Sequence, residues 1–561
     1  MNPTIANSAW LAGCVPALAH FHHATKHVAG TQESILRRIL HANAGTEFGR
    51  AHGFASIRSA HEYQQRVPLC DYDDCASQVQ RIATGAQNVF TSDPVRLFEP
   101  TSGSSSGEKW IPYNRSLERE FQAGIRAWIA DLFAHDPSLL SGQAYWSVSP
   151  VLAPDRKTSA GIPIGFEEDA SYLGGWQKRF VDSVLAVPSA VRGIADMAAF
   201  RYVTLLFLLR SRNLKLVSVW NPSFLSLLVA PLQEQGDALA HDLQHGTITT
   251  NAAIPVALRS AFQRDPRRAG ELRSALRSGT PAEIHARLWP ALRLLSCWTD
   301  ANSSAPAQHL ASLFPQARIQ GKGLIATEGF VSFPLHGHQG SALAICSHFL
   351  EFLPADAAGS CDPEHPLLAH QLEEGQSYTV VLTTGGGLYR YQLHDLIEVA
   401  GRVHDCPLIR FLGRQSYVSD WFGEKLNEAH VARILREVFD SLVLSPEFAM
   451  IACEANHPEP RYVLYVESSA AEETLHRAAA RIEMRLQENF HYRYARQLGQ
   501  LAPLRIFRST GAAEAYLNAK NRGGQRSGAI KPLALDARGD WSHIFRGDHQ
   551  PEVLPIAAAL R

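Results

Sequence analysis

Thr101-Ser102-Gly103-Ser104-Ser105-Ser106-Gly107 stands between Phe98-Glu99-Pro100 and Glu108-Lys109-Trp110-Ile111-Pro112. Its glycines let the backbone approach a ligand closely, and successive amide N–H groups form an anion-binding concavity. Five hydroxyl side chains add donors and Lys109 adds positive charge. The apolar flanks require packed structure on both sides of the run, so the fold must hold this loop in place. A triphosphate is the guest it fits best.

Two other motif readings compete with a phosphate loop, besides an ordinary polar surface loop. A Walker A loop needs four residues between its glycines and then Lys-Ser or Lys-Thr. Here three residues separate Gly103 from Gly107, and Glu108 precedes Lys109. The run also fits Gly-x-Ser-x-Gly with Ser105 as a hydrolase nucleophile. That elbow must lead straight into a helix, and Pro112 opposes an uninterrupted helix there.

The chain has 561 residues, 45% of them hydrophobic, and a formal net charge of -1. It is long enough for two or more domains. Its balanced charge implies no nucleic-acid partner. Eight cysteines are scattered without a Cys-x-x-Cys, as in a reducing compartment rather than a disulfide frame or zinc site. Leu11-Ala12-Gly13-Cys14 resembles a lipoprotein box, but no Lys or Arg precedes it and no apolar core of signal length fits. No apolar stretch reaches the roughly 20 residues needed to span a bilayer. A cytoplasmic protein without a membrane partner is expected.

Residues 31–43 read as an amphipathic helix with a threonine start and Ile35, Leu36, Ile39 and Leu40 on one face. Ser116 to Phe133 reads as a second helix. Leu214 to Trp220 reads as a buried strand, and residues 223–300 as mostly helical. Beyond residue 315 the texture is strand and turn: Ser377 to Thr384, a Gly385-Gly386-Gly387 turn, Leu388 to Leu393, Leu396 to Ala400 and Leu408 to Leu412. From about 424 the order is helix, strand, strand, helix: Glu424 to Phe439, Phe448 to Cys453, Tyr462 to Glu467 and Ala470 to Phe490. This is a small α/β unit, and a boundary is placed near Arg414.

Three further segments carry chemistry. Gly323-Leu324-Ile325-Ala326-Thr327-Glu328-Gly329-Phe330 reads as a strand ending in a tight turn. Glu328 there suits Mg²⁺, which prefers one or two carboxylates with phosphate oxygens and water; a solvated turn carboxylate is the plainer reading. Leu388-Tyr389-Arg390-Tyr391-Gln392-Leu393-His394-Asp395 places Asp395 at a strand end, where a carboxylate can hold both ribose hydroxyls or simply close a turn. Lys531, in Ser527-Gly528-Ala529-Ile530-Lys531-Pro532, offers one cation on a flexible approach, as would any loop lysine.

The order of these segments resembles the adenylate-forming superfamily and, more closely, the GH3 acyl acid–amido synthetase family. The resemblance runs from about Gln32 to Lys531. Thr46-Glu47-Phe48-Gly49-Arg50 within residues 43–54, Val67-Pro68-Leu69, Glu351-Phe352-Leu353-Pro354 and Phe411-Leu412-Gly413-Arg414 also look like family signatures. The resemblance implies an α/β adenylate-forming fold. A large N-terminal domain (1–414), containing β-sheets and a β-barrel part, would carry a small mobile C-terminal α/β domain (415–561). It implies ATP and Mg²⁺, with residues 101–107 and Lys109 cradling the phosphates. Ala326 and Thr327 would lie at the nucleotide, Glu328 at the metal, and Asp395 with Arg414 at the ribose. Lys531 would reach the reacting carboxylate and α-phosphate after the small domain rotates.

The chain departs from the family pattern at four places. The loop is one residue short before Lys109, Ser-Ser-Glu is Ala326-Thr327-Glu328, the glycine before Asp395 is His394, and Lys531 lacks the Gln-x-Lys spacing. The implied reaction joins a small carboxylic acid to AMP, then transfers the acyl group to an amine, usually of an amino acid. Trp146, Tyr172, Trp220, Phe224 and Phe330 lie near the nucleotide motifs as candidate acyl-pocket residues, and each equally fits a core position. The alternatives are an acid–thiol ligase using the same adenylation, a serine hydrolase on Ser105, and a nucleotide-binding protein without catalysis. The acid, the amine and the oligomeric state are not legible.

Overall fold

The computed structural model describes residues 2–102, 108–147, 156–165, 184–277, 279–355, 363–414, 418–419, 421–422, 424, 426–455, 457, 459–497, 500–522, 530 and 532–550. Three expected site elements, Gly103 to Gly107, Tyr172 and Lys531, lie outside them.

A helix at Pro3–Ala24 packs along the helix Arg115–His135. Cys14 is buried inside the first, and burial pushes its thiol up to about 12. The expected helix 31–43 spans Val28–Asn43. Thr31 does not start it, because its N–H already bonds to the His27 carbonyl at 3.0 Å. The apolar face is as expected, with Ile35, Leu36, Ile39 and Leu40 buried.

Strands β1 (Leu97–Ser102) and β2 (Glu108–Tyr113) form an antiparallel hairpin. The helix Arg115–His135 follows, capped by Asn114, whose side chain accepts the Leu117 N–H at 2.9 Å. Next comes a parallel sheet in the order β3 (Gln143–Trp146), β4 (Leu214–Ser218), β5 (Leu294–Ser296), β6 (Arg318–Gln320). Helices between these strands enclose a core of their own around Phe200, Leu206 and Trp289. Short polar-capped helices fill 222–288; Asp265 and Thr280 each cap one, ahead of Pro266 and Pro281 at the first helical position.

The β-rich part of the large unit is a seven-stranded sheet. Its strands are β7 (Ser332–Pro334), β8 (Ser341–Leu343), β9 (Phe349–Ala355), β10 (Leu367–Leu368), β11 (Ser377–Thr383), β12 (Tyr391–Val403) and β13 (Cys406–Arg414). The order is β10-β9-β11-β12-β13-β8-β7 and every pairing is antiparallel. Two expectations change here. The strand expected at 388–393 starts only at Tyr391, because Arg390 sits at φ 49°. Asp395 does not end that strand, which runs on to Val403.

After the small pair β14 (Val418–Ser419) and β15 (Leu426–Asn427) comes a five-stranded sheet of β16 (Phe448–Glu454), β17 (Arg461–Glu467), β18 (Ala502–Thr510), β19 (Leu535–Asp536) and β20 (Arg546–His549). Helices Glu428–Ser441 and Glu472–Leu486 pack with it. The first starts later than expected because Asn427 supplies the cap and Glu424 instead accepts the N–H groups of Trp421 and Phe422. The expected helix 470–490 ends at Leu486, and a separate one covers Phe490–Gln497.

Candidate active site

The hairpin register pairs Ser102 with Glu108, so residues 103–107 join the two strands at its tip. Its sides are tied down: the Trp110 N–H reaches the Tyr72 hydroxyl at 2.8 Å, and the Phe98 N–H reaches the Pro163 carbonyl at 2.9 Å. The Lys109 ammonium lies 5.4 Å from the Tyr72 ring centroid. A strand follows the run, and no helix begins before Arg115. Ser105 therefore belongs to a strand–loop–strand unit rather than to the strand–turn–helix of a nucleophile elbow.

The hairpin meets the Ala326–Gly329 turn through the Tyr113 hydroxyl, which donates to the Thr327 carbonyl. That turn is tight, with reciprocal N–H···O bonds between Ala326 and Gly329 at 3.0 and 3.2 Å. The strand expected before it is only a single bridge, Ile325 to Phe330. Side chains absent from the sequence reading hold it. The Phe330 N–H donates to His348 Nε2 at 2.9 Å, which leaves the proton on Nδ1, and Nδ1 donates to Glu120 at 2.8 Å. Glu120 also accepts the Gly385 N–H at 2.9 Å. All of this is buried. A carboxylate at position 120 interrupts the apolar stripe of Leu117, Phe121 and Gly124, and that was its visible signal.

Asp395 and Arg414 are cross-strand partners of β12 and β13, and Arg414 Nε donates to Asp395 Oδ1 at 2.9 Å. The aspartate is fully buried. The Arg414 N–H donates to Glu428 Oε2 at 2.8 Å, and the other oxygen of Glu428 accepts the Ala534 N–H at 3.1 Å. Glu428 was not singled out from sequence, yet it links the end of β13 to the segment that carries Lys531. Burial pushes its carboxyl up while those N–H groups and Arg414 pull it down.

These pieces share one neighbourhood. His394 is held below its ordinary value first by burial, with the charges of Asp71, Arg414, Asp395 and Lys109 also acting on it. The Tyr391 hydroxyl is pushed up by burial and by Glu328, with Arg414 opposing. Lys109, Glu328, Asp395 and Arg414 thus surround the Tyr391–His394 segment. His394 itself has φ 57°, the left-handed conformation that a glycine would take freely.

A cleft of about 620 Å³, open to solvent, adjoins this neighbourhood; Trp298, Lys322, Leu324, Arg414, Glu428 and Pro532 are among its lining residues. Asn221 Nδ2 donates to the Ile530 carbonyl at 3.5 Å, so both neighbours of Lys531 are placed beside the large unit. Of the expected acyl-pocket residues, Trp146 and Trp220 come together around Lys322, whose ammonium lies 5.9 and 5.0 Å from their ring centroids. Phe224 packs with Phe200 at 6.5 Å in the helical core. Phe330 lies against Phe121 and Phe333 and covers Gly124, where a Cβ would come within 2.3 Å of its ring.

Family models match in sequence order: the GH3 family N-terminal domain over residues 17–319, its central domain over 341–414 and its C-terminal domain over 428–532. An indole-3-acetic acid-amido synthetase, GH3.8 of Oryza sativa subsp. indica, is 26% identical over 531 residues, covering 88% of this chain and 86% of the relative. Another, GH3.3 of Arabidopsis thaliana, is 24% identical over 487 residues, covering 82% and 80%. The solved GH3.15 acyl acid amido synthetase superposes with a TM-score of 0.81 at 21% identity, over 94% of this chain and 95% of that one. That likeness is one of fold.

Proposed function

The chain belongs to the GH3 family, and from that premise we propose that it is an ATP-dependent acyl acid–amido synthetase. It adenylates a small carboxylic acid and passes the acyl group to the amine of an amino acid. The observation that carries this reading is the gathering of Lys109, Glu328, Asp395 and Arg414, from three distant stretches of chain, around Tyr391–His394.

In the first half-reaction a carboxylate oxygen bonds to the α-phosphorus of ATP and the bond to pyrophosphate breaks. Negative charge shifts over phosphate oxygens, where fixed donors are most effective. The hairpin-tip amides and Lys109 hold the polyphosphate. Asp395, oriented by Arg414, accepts from the ribose hydroxyls, and Ala326 and Thr327 border the nucleotide. Lys531 brings positive charge to the carboxylate and α-phosphate. In the second half-reaction the amine nitrogen attacks the acyl carbon, the carbon–oxygen bond to AMP breaks, and the amine loses a proton. No protein nucleophile is required, and catalysis rests on positioning and charge.

Among the described residues there is no cluster of three or more His, Cys, Asp or Glu suited to a metal. Glu328, buried at the turn, matches a Mg²⁺ that arrives with the nucleotide and takes one protein carboxylate. The ion supplies neutralisation of phosphate charge. Residues 415–561 act as the moving domain. Among the described residues no helix is long and apolar enough to cross a membrane, and the scattered free thiols support a cytoplasmic setting.

The test is a screen of carboxylic acids for pyrophosphate release from ATP, followed by mass spectrometry of products formed with mixed amino acids. The reading expects acid-dependent pyrophosphate and an amide product. Thioester formation with coenzyme A in place of the amide would transfer the enzyme to the acid–thiol ligases, and no release with any acid would refute adenylation.

A further inference from the structure

Lys322 is an ammonium in an apolar place. It is 5% exposed, follows β6, and donates to the Ser218 hydroxyl at 2.6 Å. Indole rings surround it: Trp220, Trp128 and Trp146 at 5.0, 5.4 and 5.9 Å to their centroids. Among the described residues no carboxylate pairs with it. A buried charge without a counter-charge is costly, and a core has no use for one. The cage sits at the carboxyl ends of the parallel strands: Trp146 ends β3, Ser218 ends β4, and Lys322 lies two residues past β6. Ligands of open α/β sheets bind at that edge. Trp298, just beyond β5 and 5.9 Å from Trp220, lines the same cleft as Lys322.

The hydrogen-bonding groups here ask for one kind of guest. An ammonium has three N–H donors and no acceptor, and an indole donates only. The Trp146 Nε1 is also buried and has no hydrogen-bond partner among the described residues. Aromatic cages ordinarily attract cations, but this one already holds its own. A second cation is repelled, and an anion with a flat apolar body is matched at both ends.

We propose that Lys322 recognises the carboxylate of the acyl substrate, with Trp146 and Trp220 as the apolar wall against which the body of the acid lies. This rests on the ligase reading of the same cleft and names its substrate class: acids with a ring or other flat apolar body. Burial holds the Lys322 ammonium down at about 7, so an arriving carboxylate also restores its full charge.

The experiment titrates the full chain with sodium benzoate, without ATP, and follows tryptophan fluorescence. Benzyl alcohol serves as the neutral control and K322M and K322R as variants. Benzoate is expected to change the emission saturably, with benzyl alcohol and K322M each weaker by about tenfold or more and K322R close to wild type. K322M is expected to melt above wild type. No saturable response to benzoate, an equal response to benzyl alcohol, undiminished binding by K322M, or K322M melting well below wild type would each overturn the proposal. Pyrophosphate release with an acid panel is measured in parallel. If a wild type that binds benzoate releases none, the ligase reading fails and the anion site stands. If K322M turns over acids with wild-type KM, the site fails and the ligase reading stands.

Discussion

His394 occupies a left-handed backbone position, φ 57°, that costs a non-glycine residue about 1 kcal/mol or more. Its neighbour Asp395 carries the ribose role in this account, so strain is retained beside the site. His394→Gly is expected to raise the melting temperature and His394→Val, β-branched, to lower it; thermal melts check both. Lys322 adds a pH dependence. Its folded value, about 7, lies below the ordinary lysine value. The unfolded chain therefore binds more protons between about pH 7 and 10.5, and stability gained from releasing this proton rises across that window, by up to about 1.4 kcal/mol per pH unit. The stability advantage of K322M should be largest below pH 7 and shrink toward pH 10, as read from urea midpoints. A gap that stays constant with pH would show that this lysine does not titrate there. Glu328 and Asp395 were legible as carboxylates at recognisable motifs. Lys322 was not, because only folding brings three tryptophans from separate strands and helices around it.

Elements explain the signatures that carry no chemistry. Thr46 caps the short helix Glu47–Ala51 by accepting the Gly49 N–H at 2.9 Å, and Phe48 stacks on Tyr389 at 4.8 Å. At Gly49 a Cβ would come within 2.1 Å of the Asn43 carbonyl oxygen. Gly49→Ala should therefore destabilise by about 1–3 kcal/mol, measured by chemical denaturation; an unchanged midpoint would refute this brace. The buried Glu351–Arg390 pair, with Arg390 also donating to the carbonyls of Gln64 and Val67 at 2.9 and 2.8 Å, joins three further signature segments. Periodicity exposed the helices at 28–43 and 115–135, whose apolar faces are local properties. It missed the β1–β2 hairpin, which reads locally as a polar loop between apolar flanks. It also misplaced the start of β12, because Arg390 turns the chain for a partner 39 residues away.

At the scale of the molecule, the C-terminal unit docks on the helical side of the large one. Arg201 pairs with Glu514 at 2.5 Å, Asn221 reaches Ile530, and Glu428 holds Arg414 and Ala534 together. This arrangement brings the neighbours of Lys531 to the cleft, as adenylation requires in the proposed mechanism. The Arg201–Glu514 pair is half exposed on the acidic side, so it is worth up to about 1 kcal/mol. Arg201→Ala should slow pyrophosphate exchange by up to about fivefold and leave aminolysis of a supplied acyl-adenylate unchanged. Equal slowing of both steps would separate this contact from domain position. The central claim is that a nucleotide lies among Lys109, Glu328, Asp395 and Arg414 while a carboxylic acid is joined to AMP. Its most direct measurement is acid-dependent exchange of labelled pyrophosphate into ATP, in wild type and in Asp395→Asn, which keeps an acceptor for Arg414. The account predicts exchange with at least one acid in wild type, and about a tenfold or greater rise in the KM for ATP in the folded variant. Exchange by Asp395→Asn at wild-type KM would contradict it.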